Sequence, residues 1–149
     1  MKQFMLLLAL SLLIVACENE NENETSISTN FSSESHNTGK NCMNCHKSGG
    51  NGEGLFIVAG SVYQSSLTSP FPNGTVRLTS SAQNTGNLIK SIEVDALGNF
   101  YTTQAIDFGT GLYVSVLGTN GEVKHMSSKI TTGQCNNCHG NTVAKIWLQ

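Results

Sequence analysis

The chain has 149 residues, of which 12% are charged, and its formal net charge is −2 at pH 7. This length suits one domain with extensions, and the near-balanced charge excludes the strongly basic surface of a nucleic-acid-binding protein. The 15 glycines, together with frequent Ser, Thr and Asn, indicate turns and strands, so we expect an extracytoplasmic β-protein.

The first sixteen residues have the pattern of an export signal. Lys2 precedes a short apolar run that cannot cross a bilayer core of roughly 30 Å as a helix. The run ends in Ile-Val-Ala-Cys at Cys17, which resembles a bacterial lipobox. We therefore predict that residues 1–16 are a lipoprotein signal peptide and that Cys17 carries the lipid. The alternative is an ordinary signal peptide that leaves a free thiol at Cys17.

Residues 17–35 are predicted to be a flexible acidic tether. After Cys17 the sequence reads ENENENETSISTNFSSES, which contains too little apolar surface to offset the entropy of ordering. Its alternating glutamates resemble the surface-export signals of Bacteroidetes lipoproteins, with a plain solvated linker as the alternative. The protein is thus expected in the bacterial cell envelope, lipid-anchored to the membrane on the periplasmic side or at the cell surface.

From residue 55 onward the pattern becomes that of short β-strands. Apolar or alternating runs separated by turn residues occur at 55–63, 75–79, 88–94, 100–101, 112–117 and 123–126. Asn73-Gly74 and Asn120-Gly121 are predicted turns, because Asn and Gly tolerate positive φ. Six or seven short strands without helical periodicity predict a mainly β fold, an antiparallel sandwich over about residues 55–126.

This middle segment resembles the carboxypeptidase-regulatory-like, or prealbumin-like, β-sandwich. The resemblance lies in GSVY at 60–63, GTVRL at 74–78 and VDALGNFY at 94–101. It implies a prealbumin-like or Ig-like sandwich and, by itself, no activity.

Two pentapeptides of the form C-x-x-C-H flank the sandwich, CMNCH at 42–46 and CNNCH at 135–139. This pattern is the attachment signature of haem c. Two thiols three residues apart reach the two vinyl groups on one side of a porphyrin, and the next residue brings an imidazole under the iron. The sequence predicts two haems c, attached at Cys42, Cys45, Cys135 and Cys138, with His46 and His139 as proximal iron ligands.

Three other interpretations of these four cysteines stay open. Disulfides suit an oxidising compartment but leave both trailing histidines without a role. A four-cysteine zinc site is chemically sound, although a gap of about 90 residues between the pairs is long for a zinc ribbon. A dithiol redox pair normally opens a helix in a thioredoxin-like context, which this sequence lacks.

The irons need axial ligands beyond His46 and His139, and three residues are candidates. His36 lies shortly before the first motif, where its alternative role is that of a solvated linker residue. His125 and Met126 are adjacent on a predicted strand, so their side chains point to opposite faces. We predict His36 on one iron and Met126 on the other, with His125 as the remaining candidate.

Together, the two motifs and the segment between them are similar to small di-haem cytochrome c lipoproteins of bacterial envelopes. In these, a C-x-x-C-H precedes a β-sandwich and a G-x-C-N-x-C-H closes it, here at 133–139. The resemblance implies a di-haem domain over 36–149, electron transfer, and redox partner proteins of the envelope. The arrangement of this sequence departs from ordinary class I cytochrome c, which is helical.

The sequence favours an electron carrier over an enzyme. It shows no Ser/His/Asp order, no paired catalytic carboxylates and no phosphate loop. A peroxidase with an open iron position is the enzymatic alternative. The non-enzymatic alternative is a lipoprotein without haem, whose β-sandwich binds a glycan or protein and whose cysteines stabilise it through zinc or disulfides.

Overall fold

The computed structural model describes residues 29–149. The predicted signal peptide, Cys17 and the start of the predicted tether lie outside these residues. Within the described part of the chain, no helix has the length and apolar character needed to cross a membrane. In chain order the elements are a 3₁₀ turn (Cys42–Asn44), β1 (Val58–Gln64), β2 (Thr75–Ser81), β3 (Thr85–Glu93), β4 (Asn99–Thr102), β5 (Tyr113–Leu117), β6 (Val123–His125), β7 (Gly133–Gln134), α1 (Cys135–Cys138) and β8 (Ile146–Leu148).

The strands form two sheets that enclose one core, which confirms the predicted mainly β sandwich. One sheet has the order β3-β2-β5-β6 and is antiparallel throughout. The other is built on β1, which pairs antiparallel with β4 and parallel with the two short strands β7 and β8. The sequence does not predict these short parallel strands, and they bring the chain on either side of the second C-x-x-C-H motif onto β1.

The core lies between the two sheets and follows the predicted alternation. Val76 and Leu78 on β2 are fully buried, whereas Thr75 and Arg77 between them are partly exposed. From the other sheet, Val58, Val62 and Phe100 pack against this face, and Leu148 at the end of the chain completes the cluster.

The predicted Asn-Gly turns are confirmed by the backbone. Asn73 has φ 61°, and Gly121 has φ 86°, both in the left-handed region that these residue types tolerate. The first strand, however, begins at Val58 and not at residue 55. Phe56 donates its N–H to the carbonyl of His46 at 3.1 Å, so the preceding residues pair with the first motif and not with a strand.

Residues 29–35, predicted to be the end of the tether, form hydrogen bonds with the sandwich. The N–H of Phe31 donates to the side-chain oxygen of Asn73 at 2.8 Å, and the N–H of Ala96 donates to the carbonyl of Ser32 at 2.8 Å. This stretch therefore leads the chain along the sandwich surface directly into the first motif.

Candidate functional site

The two C-x-x-C-H motifs adopt the same local turn. In each, the N–H of the histidine donates to the carbonyl of the first cysteine, His46 to Cys42 at 3.0 Å and His139 to Cys135 at 2.9 Å. The thiol of each first cysteine donates to the carbonyl two residues earlier, at 3.7 Å in the first motif and 3.6 Å in the second. The same compact turn is thus built twice, once at each end of the sandwich sequence.

Each motif histidine is oriented through its Nδ1 atom. Nδ1 of His46 lies 2.6 Å from the carbonyl oxygen of Glu53, and Nδ1 of His139 lies 2.7 Å from that of Ala144. Because a carbonyl only accepts, each Nδ1 donates and carries the proton in the neutral ring, which leaves Nε2 as the metal-binding nitrogen. Metal-ligating histidines are typically oriented in this way.

A hydrogen-bond network joins the two motifs along β1. The side-chain amide of Asn136 donates to the carbonyl of Lys40 at 2.9 Å and to the hydroxyl of Ser61 at 3.0 Å, and its oxygen accepts from the N–H of Ser61 at 3.1 Å. Asn41 also donates to the side-chain oxygen of Gln134 at 3.3 Å. The segments that carry the two motifs are therefore fixed next to each other, although they are far apart in the sequence.

We expect Asn136→Leu to lower the free energy of unfolding by about 1–3 kcal/mol, because the backbone and hydroxyl partners of this buried amide lose their bonds. Chemical denaturation of the purified protein measures the loss. The neighbouring Asn137→Leu is the matched control, since Asn137 is exposed. Equal stability of the two variants would contradict a structural role for Asn136.

The second motif opens onto a cavity of about 410 Å³ that extends into the sandwich interior. Cys135, Cys138 and His139 lie on one side of the cavity, and Met126 also lines it. The walls are mainly apolar and come from both sheets and from the end of the chain, with Val76, Phe100, Val114, Val116, Ile130 and Trp147. A volume of several hundred Å³ with apolar walls and a few polar groups is typical of a cofactor pocket.

In the sheet β3-β2-β5-β6, the side chains of Met126 and His125 lie on opposite faces. Met126 donates its N–H to the carbonyl of Val114 at 2.9 Å, and its side chain packs against the core cluster. His125 is the cross-strand partner of Ser115, and its Nδ1 lies 2.8 Å from the Ser115 hydroxyl. His125 borders the cavity, but its exposed ring is engaged on the opposite face of the strand.

The first motif lies against a stack of aromatic rings. The ring of His46 stacks on Phe56 with centroids 4.0 Å apart and an interplanar angle of 4°, and Phe56 stacks on Tyr101 at 4.4 Å. A Cβ at Gly52 would lie 2.8 Å from Nδ1 of His46, so this position requires glycine for the ring to fit. These contacts fix the plane of the His46 ring.

The imidazole ring of His36 lies beside that of His46. The centroids of the two imidazole rings are 5.9 Å apart. Two metal–imidazole bonds of about 2 Å each, plus the distance from each nitrogen to its ring centre, give a separation close to this value. His36 is exposed and directly follows the docked segment 29–35, which brings its ring beside that of His46.

All four described cysteines are free thiols. Burial raises the pKa of the Cys135 thiol to about 12, and burial also raises the pKa of Cys42. Zinc binding and thiol–disulfide exchange both use the thiolate. Among residues 29–149, moreover, no three His, Cys, Asp or Glu side chains converge as a protein-built metal site requires.

The residues present are of the types that hold a haem. Haem iron takes four bonds from the porphyrin, so it needs only one or two protein side chains. The second motif combines two thiols, an oriented histidine and a thioether around one apolar cavity. The first motif combines two thiols with two neighbouring histidines.

Sequence reasoning missed the residues that position these groups. Asn136 occupies a variable position of its motif. Gly60 lies inside a strand, and a Cβ there would come within 2.5 Å of the Phe100 ring and 2.8 Å of Cys135 Cβ. Gly60 thereby allows α1 to approach β1. A glycine inside a strand pattern is the one signal for such a close approach that the sequence offers.

No protein-family model, no curated protein and no solved structure matches this chain.

Proposed function

We propose that this protein is a c-type cytochrome that carries two covalent haems and transfers electrons at the bacterial envelope. The observation that carries the proposal is the pair of matching C-x-x-C-H turns, in which His46 and His139 each present Nε2 because Nδ1 donates to a backbone carbonyl. Neither disulfides nor a zinc site made of the four cysteines gives the two histidines a role.

Each haem would have its own set of residues. Cys42 and Cys45 would attach the first haem, and His46 and His36 would bind its iron. Cys135 and Cys138 would attach the second haem, with His139 and Met126 as the axial pair. The haem supplies a one-electron iron couple, and the chain supplies the ligands, their orientation and the exclusion of water.

The two sites differ in ways that favour unequal reduction potentials. A methionine opposite a histidine raises the potential of a haem, and a second histidine gives a lower one. The second site also lies in an apolar cavity, whereas His36 at the first site is exposed. The network around Asn136 fixes the motifs next to each other, which would hold two attached haems close enough for electron exchange.

The proposed role is that of an electron carrier and not of an enzyme. If His36 and Met126 both bind iron as proposed, they would occupy the positions that a peroxide or another substrate would need. The partners would be redox proteins of the envelope electron-transport chain, reached while the lipid on Cys17 keeps the protein at the membrane.

A spectroelectrochemical titration of the purified full-length protein tests the proposal. We expect a haem spectrum that is reduced reversibly in two one-electron steps at different potentials. His36→Ala is expected to change one step only and to leave the other at its wild-type potential. A protein without a reversible visible spectrum would overturn the proposal.

We expect Cys17→Ala to abolish lipid attachment, because the lipobox cysteine is the acylated residue. The variant should leave the detergent phase in a detergent-partitioning experiment or remain unprocessed, whereas the wild-type protein partitions with detergent. Mass spectrometry of the mature N-terminus checks the modification itself. Unchanged partitioning of the variant would count against acylation.

A further inference from the structure

The cavity next to the second motif is lined by cationic side chains without acidic ones. Lys124, Lys129 and Lys145 all line it, and none of the described residues that line it is Asp or Glu. An apolar cavity bordered only by positive charges fits an anionic ligand with an apolar body. Haem has this character, since it carries two propionate carboxylates on one edge of an apolar ring.

Lys124 is the lysine of this cavity whose buried ammonium makes no hydrogen bond. Its Nζ is buried and has no hydrogen-bond acceptor, and it lies over the ring of Trp147. Lys124 also forms an ion pair with Glu122, whose carboxylate oxygen lies 3.5 Å from Nζ. By contrast, Nζ of Lys145 donates to the carbonyl of Leu67 at 2.8 Å. The ion pair compensates part of the charge of Lys124, and its N–H groups are available to donate to a ligand carboxylate.

The position of Lys124 matches that of a group at the edge of a haem ligated by Met126. Lys124 is the cross-strand partner of Val116, and the N–H of Met126 donates to the carbonyl of Val114. Both side chains therefore lie on the inner face of the sheet β3-β2-β5-β6. Two residues along a strand correspond to about 7 Å. A haem bound by Met126 would therefore have Lys124 within reach of its edge.

We propose that Lys124 binds a propionate of the second haem and raises the reduction potential of that haem. The proposal rests on the function proposed above. Reduction adds an electron to the iron, so a nearby positive charge stabilises the reduced state. The effect is local, because the charge lies in an apolar cavity where solvent screens it little.

Redox titration of three full-length variants tests this role. Lys124→Gln is expected to lower the potential of the Met126-ligated haem and to leave the other haem unchanged. Lys124→Arg keeps the charge and is expected to stay near the wild-type potential. Lys90→Gln is the matched control, because Lys90 lies outside the cavity beside Gln104. Resonance Raman spectra of the propionate modes are expected to change in Lys124→Gln alone.

The outcomes separate this inference from the function on which it rests. If the wild-type protein carries no haem, the proposed function fails and the inference fails with it. If all variants carry two haems and Lys124→Gln leaves both potentials unchanged, only the role of Lys124 is overturned. Equal shifts in Lys124→Gln and Lys90→Gln would also overturn it, because they would reflect net charge and not a bond to the propionate.

Discussion

Met126→Ala is expected to lower one of the two reduction potentials by on the order of 0.1 V, within the roughly 0.8 V range that axial ligands control. The reason is the loss of the thioether sulfur that is proposed to bind the second iron; Met126 and His139 both line the cavity. Any sulfur–iron charge-transfer absorption should disappear with it. Spectroelectrochemistry and the near-infrared spectrum of the oxidised protein measure the two effects.

Two further variants separate ligation from packing at this position. Met126→Leu keeps the volume of the side chain but has no sulfur, so it should lower the same potential as Met126→Ala. His125→Ala should leave both potentials unchanged, because the His125 ring bonds to Ser115 on the other face of the strand. A potential that falls in His125→Ala and not in Met126→Leu would assign the ligand to His125.

Cys135→Ala/Cys138→Ala is expected to leave one covalent haem per chain instead of two. Without the thioethers, the cavity haem is lost on denaturation, while the haem at the first motif is retained. The reciprocal variant Cys42→Ala/Cys45→Ala is the matched control and should also retain one haem. Only this reciprocal variant should keep the spectrum of a methionine-ligated iron. Retention of two covalent haems by either variant would contradict the assignment of the motifs.

The strands of the sandwich could be predicted because their signals are local. At 75–79 every second residue is apolar, and the structure buries Val76 and Leu78 as the alternation requires. By contrast, β7 and β8 span only 133–134 and 146–148, which is too short for a readable period. They exist because the long-range partner β1 supplies their hydrogen bonds.

The chemistry-bearing residues of the candidate site could be identified from the sequence, but their arrangement could not. Asn136 and Asn137 are identical in type and adjacent, yet only Asn136 is buried and bonded to Lys40 and Ser61. The orientation of Met126 likewise depends on the register of the hairpin before it. That register is set where Gly118 donates its N–H to the carbonyl of Glu122 at 2.8 Å, a pairing that the Asn-Gly signal alone leaves ambiguous.

The most direct test of the central claim is the number of covalent haems per chain. The full-length protein is produced in a host with a cytochrome c maturation system, denatured, extracted with acid–acetone, and measured by pyridine haemochrome and by metal analysis. Two haem c groups that remain with the denatured chain, with two iron atoms and no stoichiometric zinc, are the predicted result. A colourless protein whose four motif cysteines are bound to zinc or joined as disulfides would contradict the account.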